Sequence, residues 1–274
     1  MQGSKKWTPP GGVLGELVAA AQTRAQALRP SAGDLRAGVS SAPPAPSFLD
    51  ALSGDTVAVI AEVKRASPSK GAINEALDVG EQCRAYEAGG AAAISVLTEP
   101  ARFAGKVADL VAARTACALP LLRKDFIVDE LQILEARASG ASAVLLIARA
   151  MDPSQLKELF RCAVESRLYA LVEVRDGAEL ETAVSIGATI IGVNNRNLET
   201  LEMDDAAQHV LPLIPRKCIA VAESGYRTRD DVMRAASIGA DAVLIGSELS
   251  VSLTPASLLE ELASVKRTRN ARAN

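Results

Sequence analysis

Aromatic residues are scarce in this chain. They make up 3% of 274 residues, with one Trp, three Tyr and four Phe. A core cannot rest on so few rings, so Ala, Val, Leu and Ile must fill it, in keeping with 49% hydrophobic residues. That mixture suits buried parallel strands covered by Ala-rich helices. Histidine occurs once, as His209, in a segment that reads as surface helix, so no catalytic role is expected of it. The four cysteines, Cys83, Cys117, Cys162 and Cys218, lack CxxC or any similar metal-ligand spacing. No metal site is expected. No secretory leader is read, so the thiols are expected to be reduced and the protein cytoplasmic. No apolar run reaches about 18 residues, so no transmembrane helix is expected. Lys+Arg 30 against Asp+Glu 33 gives a net charge of −3. Without a basic block before the last ten residues, neither nucleic acid nor a membrane surface is an expected partner.

What is present is a repeat. Residues 1–12 read as a disordered start. A helical extension spans 13–56, with Leu14, Leu17, Val18, Ala21 and Ala25 at helical spacing. Within it, residues 29–48 read as a Pro-, Ser- and Gly-rich linker, and Phe48, Leu49 and Leu52 are expected to cap a barrel floor. From 57 to 265 one unit recurs: a short β-branched run, a polar loop, an Ala-rich helix. The runs fall at 57–63, 91–97, 119–123, 143–147, 169–174, 189–193, 218–222 and 242–246. Asp78, Asp152 and Thr228 stand where helix caps belong. Gly90, Gly140, Gly187 and Gly239 stand where helices should stop, each followed by Ala. Eight such units predict a parallel (β/α)8 TIM barrel with an N-terminal helical extension. A doubly wound open sheet is the alternative. Residues 266–274 read as a basic, solvated tail.

In such barrels the chemistry sits at the C-terminal ends of the strands. Strand 1 ends AEVKRASPSKG, where Glu62 and Lys64 point to the same side. Strand 3 ends LLRKDF, giving Lys124 and Phe126. Strand 5 ends LVEV, giving Glu173; strand 6 ends GVNNRN, giving Asn194 and Arg196; strand 7 ends VAESG, giving Glu223. Opposite charges gathered on one rim make an acid–base candidate, with a structural ion network as the bland reading. Ser224-Gly225 after strand 7 and Gly246-Ser247 after strand 8 occupy the usual phosphate positions. Ser67, Pro68 and Ser69 add a further loop beside them.

AEVKRASPSKG, AISVLTEP, LLRKDFIVDELQILEARASGA, GVNNRNLETLE, VAESG and LIGS, in this order, resemble the indole-3-glycerol-phosphate synthase family over about residues 13 to 262. The resemblance implies a ribulose-phosphate-binding barrel without metal or organic cofactor. It implies the substrate 1-(2-carboxyphenylamino)-1-deoxyribulose 5-phosphate, closed to indole-3-glycerol phosphate with loss of CO2 and water. By motif, Lys124 resembles the general acid and Glu173 the general base. Lys64 resembles the binder of the substrate carboxylate, and Glu62 the group orienting the lysines. Asn194, Arg196 and Glu223 resemble contacts to substrate polar groups. Ser67, Ser69, Ser224, Gly225, Gly246 and Ser247 resemble phosphate and ribulose contacts, and Pro68 and Phe126 the walls of the anthranilate ring. Lys106 and Tyr226 depart from the family pattern. A monomer, or at most a weak homodimer, is the expected state. Another phosphosugar barrel, such as phosphoribosylanthranilate isomerase or a tryptophan synthase α subunit, would keep the phosphate loops without needing Lys64, Lys124 and Glu173 together. A non-catalytic phosphometabolite-binding barrel is the rival from another class.

Overall fold

The computed structural model describes residues 7–68, 71–268 and 271–272. The N-terminal part holds α1 (Gly12–Ala27), α2 (Ala32–Ser41) and α3 (Phe48–Ala51). Eight parallel strands follow: β1 (Ala58–Val63), β2 (Ala93–Leu97), β3 (Leu121–Lys124), β4 (Ala143–Ile147), β5 (Tyr169–Val174), β6 (Ile190–Asn194), β7 (Ile219–Glu223) and β8 (Ala242–Ile245). Each pairs with its neighbours in chain order, and β8 returns to β1, closing the barrel. The barrel, not the open sheet, is the architecture. Short strands rich in Val, Ile and Leu bury both faces, one against the barrel interior and one against the helices.

The outer ring runs α4 (Val79–Ala88), α5 (Pro100–Phe103), α6 (Val107–Ala116), α7 (Glu130–Ala138), α8 (Pro153–Glu165), α9 (Gly177–Ser185), α10 (Ala206–Val210), α11 (Arg229–Ser237), α12 (Ser247–Val251) and α13 (Pro255–Ala263). Asp78, Asp152 and Thr228 accept backbone N–H groups at the starts of α4, α8 and α11. The four predicted stop glycines all have positive φ. Lys106 stands at the start of α6, where its N–H donates to Asp109. Among the described residues no helix is long and apolar enough to cross a membrane.

Three stretches differ from the sequence reading. Residues 29–48 were expected as linker, yet α2 forms within them. Its weak helix formers are offset by packing on α7, where Gly38 leaves just enough room for Ala138. Residues 7–12 were expected to be loose, but Arg149 donates to the Thr8 carbonyl and receives the Trp7 indole N–H on its own. Gly11 N–H donates to Glu199 at 2.7 Å. The basic end was expected in solvent. Instead Arg267 and Arg272 both pair with Asp241 under the barrel, and Lys266 bridges to Thr56. In each case a long-range partner supplies what local composition lacks.

Beneath the barrel, Phe48 and Leu52 are fully buried, as a floor cap requires. On the opposite rim, α1 buries Leu14, Leu17, Val18, Ala21 and Ala25. It therefore lies across the C-terminal ends of the strands, where the site is built.

Candidate active site

Strand register decides which side chains meet. Leu97 lies beside Lys124, Glu173 beside Gly192, and Glu223 between Asn194 and Leu244. In a barrel of this kind, side chains from alternate strands fill one layer of the interior. Glu62, Lys124, Glu173 and Glu223 come from β1, β3, β5 and β7. They form the top layer, where a plain barrel would place four apolar groups.

All four are largely shielded from water. Glu62, Glu173 and Glu223 are 3%, 2% and 1% exposed. Lys64 Nζ lies 2.9 Å from Glu62. Lys124 Nζ lies 3.8 Å from Glu62 and 3.7 Å from Glu223, so it bridges the two. Burial works against the charge on Lys124, but Glu62, Glu223 and Glu173 outweigh it and raise its pKa. Burial likewise opposes ionised Glu62, yet Lys64 and Lys124 prevail and lower its pKa. Glu223 goes the other way. Burial and the facing Glu173 carboxylate lift it well above the usual carboxylate range, against the pull of Lys124. Its two carboxylate oxygens, and Oε2 of Glu173, are buried without a hydrogen-bond partner. Such groups are costly in a folded core and are expected where a ligand or proton is to be handled.

Two glycines make the layer possible. A Cβ on Gly192 would lie 2.1 Å from Glu223 Oε1, and one on Gly246 would lie 2.4 Å from Glu62 Oε1. Gly246 had been read only as a phosphate contact; it also leaves room for Glu62. Gly192 was missed, although a lone Gly inside the run TIIGV signals a close approach.

The mouth above this layer is one cavity. Lys64, Ser67, Pro68, Lys124, Phe126, Asn194, Arg196, Glu223, Ser224, Gly225, Gly246 and Ser247 all line it, with Glu62 at its base. Ser69 lies outside the described residues. Glu173 does not line this cavity; it lines a second one behind Leu198, which borders both. Lys64 and Lys124 line the mouth, and Glu173 stands next to Lys124 and Glu223 where the adjoining recess begins. Glu173 reaches the mouth through its neighbours Lys124 and Glu223, whose pKa values both register its charge.

Backbone at one side of the mouth is bent for close approach. Ser224 and Gly225 have φ of 66° and 92°. Ser247 opens α12 on the adjoining edge. Asn194 Oδ1 accepts the Arg196 N–H at 2.9 Å, and the Arg196 guanidinium donates to the Leu201 carbonyl. Tyr226, the departure from the family pattern, lines the cavity, and its hydroxyl accepts from Asn195 at 3.3 Å. Phe126 lies 6.3 Å from Phe103, with the rings tilted by 36°. Phe103 and Met203 also line the mouth and carried no sequence signal, and Leu17, read only as part of a helix face, lines it too.

A buried ion network supports the tip of β3. Asp125 accepts from Thr98 at 2.8 Å, from Arg123 at 3.2 Å and from the Phe126 N–H at 2.8 Å. Arg24, reaching over from α1, donates to it at 2.7 Å. The extension thus holds the residue between Lys124 and Phe126. Sequence reasoning missed this tie because its partners stand 101 residues apart.

A family model described as indole-3-glycerol phosphate synthase matches residues 16–262. A Streptomyces coelicolor protein named indole-3-glycerol phosphate synthase 1 is 48% identical over 235 residues, covering 85% of this chain and 87% of its own. The chain belongs to the indole-3-glycerol phosphate synthase family. The similarity extends to the synthase of Chlorobium phaeovibrioides, 48% identical over 216 residues, 78% of this chain and 84% of that one. Solved structures add the fold. A mutant tryptophan synthase α subunit from Pyrococcus furiosus superposes with TM-score 0.58 at 15% identity, covering 77% of this synthase-family chain and 99% of its own. The 3-hexulose-6-phosphate synthase of Salmonella typhimurium gives 0.58 at 16%, covering 76% and 97%.

Proposed function

We propose that the chain closes 1-(2-carboxyphenylamino)-1-deoxyribulose 5-phosphate to indole-3-glycerol phosphate, releasing CO2 and water, as a step in tryptophan biosynthesis. One observation carries the assignment of roles: Lys124 stands between Glu62 and Glu223 at the base of a mouth that also holds Lys64.

Lys124 is the general acid. Carbon–carbon bond formation puts negative charge on the ketone oxygen, and a charged ammonium aimed there stabilises it and supplies a proton. Lys64 binds the substrate carboxylate and serves as acid in the dehydration. Glu62 orients both lysines. Glu173 is the base that removes a proton from carbon, and Glu223, which keeps a proton readily, contacts a substrate hydroxyl. Ser67, Ser69, Ser224, Gly225, Gly246 and Ser247 hold the phosphate and ribulose through backbone N–H and hydroxyl groups. Asn194 and Arg196 hold other polar groups, while Pro68 and Phe126 wall the ring. Fixing the phosphate at one edge sets the ketone against the ring carbon.

Residues 57–265 serve as the catalytic barrel and 13–56 as an extension packed on it. The protein acts in the cytoplasm, as a monomer or weak homodimer, without metal or organic cofactor. Incubation with the substrate, followed by indole fluorescence, tests the reading. Turnover without added metal is expected, with at least about a hundredfold loss in Lys124→Ala. Binding without product would point to a non-catalytic phosphometabolite barrel, and normal turnover in the variant would remove the acid assignment.

A further inference from the structure

The second cavity has a chemistry of its own. It measures about 190 Å³ and is lined by Glu173, Glu179, Arg149, Arg175, Asp176 and Glu199, among others. A space this polar and this large has room for several waters with polar partners. It meets Glu173 beside the substrate mouth, with Leu198 bordering both spaces, and Asp176 in its lining is exposed.

The reaction proposed above needs such a route. Two protons are added to the oxygen that leaves as water, and one is removed from carbon. With the substrate carboxyl entering ionised and leaving as CO2, one proton is drawn from solvent per turnover. Substrate seated in the mouth covers that approach to the buried layer. We propose that the second cavity is the proton entry of the active site, with Glu179 passing protons between solvent and Glu173 through the water it holds. Glu173 hands the proton it took from carbon to the spent Lys124 beside it; a second proton, from the Glu179 carboxyl, then crosses Glu173 to replace the one still missing from the lysine pair, and solvent reloads Glu179. This rests on the proposed function.

Glu179 suits the role. It sits in the first turn of α9, where Oε2 accepts the Arg175 N–H at 2.8 Å. Burial, then the neighbouring Asp176 and Glu173 carboxylates, raise its pKa to about 7, against that hydrogen bond and the Arg149 cation. Arg149 is turned partly aside by its pairing with Glu199 at 3.0 Å, and Arg175 by its pairing with Asp204. From α1, only apolar Leu14 faces the cavity. A group that exchanges its proton near neutrality therefore stands between solvent and the base.

Glu179→Gln is the test, because an amide oxygen can still accept the Arg175 N–H and keep the helix start. The wild-type kcat is expected to fall as pH rises through about 7. The variant should lose that inflection, lose roughly tenfold in kcat at unchanged KM, and recover with rising imidazole buffer, which supplies a diffusible acid. Glu179→Asp should retain part of the inflection. Wild-type kcat and pH profile in Glu179→Gln would overturn the proposal. So would a loss of rate with the inflection intact and no buffer response, since that is a structural effect. Absence of wild-type turnover would instead overturn the proposed function.

Discussion

Replacing Lys124 with Met keeps the aliphatic stem and deletes the charge. In the native protein two ammonium groups face three buried carboxylates, Glu62, Glu173 and Glu223. In the variant only Lys64 is left, 2.9 Å from Glu62. Removing one partner from a buried ionic cluster typically costs about 3–5 kcal/mol. For a chain this long that lowers Tm by on the order of 10 °C. The sign depends on pH. Against burial, Lys64 and after it Lys124 hold Glu62 below its ordinary pKa, a contribution present above the ordinary carboxylate range and lost as pH falls through the lowered value. Without Lys124, both Glu62 and Glu223 bind protons more tightly when folded. Stability of the variant then declines as pH rises past the unfolded carboxylate pKa, chiefly through Glu223, and its deficit should be larger at pH 8 than at pH 4. Paired thermal melts of wild type and variant at both pH values measure this, and indole fluorescence follows the rate. An equal deficit at the two pH values would refute the electrostatic reasoning. Loss of stability with turnover within tenfold of wild type would leave the cluster structural and remove its catalytic role.

Three further perturbations probe the same layer. Gly192→Ala puts a methyl group 2.1 Å from Glu223 Oε1, so it should lower stability by roughly 1–3 kcal/mol in chemical denaturation and reduce kcat. Glu223→Gln should melt above wild type at pH 9 while losing activity. The native carboxyl has its pKa raised, so ionising it costs the fold increasingly as pH climbs from the ordinary carboxylate range toward that raised value, and the gain should vanish near pH 4. Arg24→Met removes the 2.7 Å tie to Asp125. It should cost roughly 1.5–3 kcal/mol in a denaturant titration and roughly tenfold in kcat through displacement of Lys124. Unchanged kinetics there would separate the extension from the chemistry.

Eight strands could be read from the chain because each is a short apolar run between polar punctuation, all but β3 carrying β-branched residues, and such runs have few alternatives. Their charged ends stood out because Lys and Glu are rare beside buried positions. Less was visible where a segment depends on a distant partner. α2 is a poor helix by composition and forms against α7. The termini looked like tails and are tied to Glu199, Arg149 and Asp241. Glu173 was legible as a charged strand end, but the recess beside it was not, since Leu198 and the loop after β6 decide where one space ends and the next begins.

By itself, the order of residues determined the alternation of strands and helices, the family, and the set of charged groups at the strand ends, because these follow from local periodicity and from motifs contiguous in the chain. Tertiary structure alone decided that side chains on β1, β3, β5 and β7 share one layer. That outcome depends on how far each strand slides against the next when the barrel closes, a quantity set by packing around the whole ring and written in no single segment.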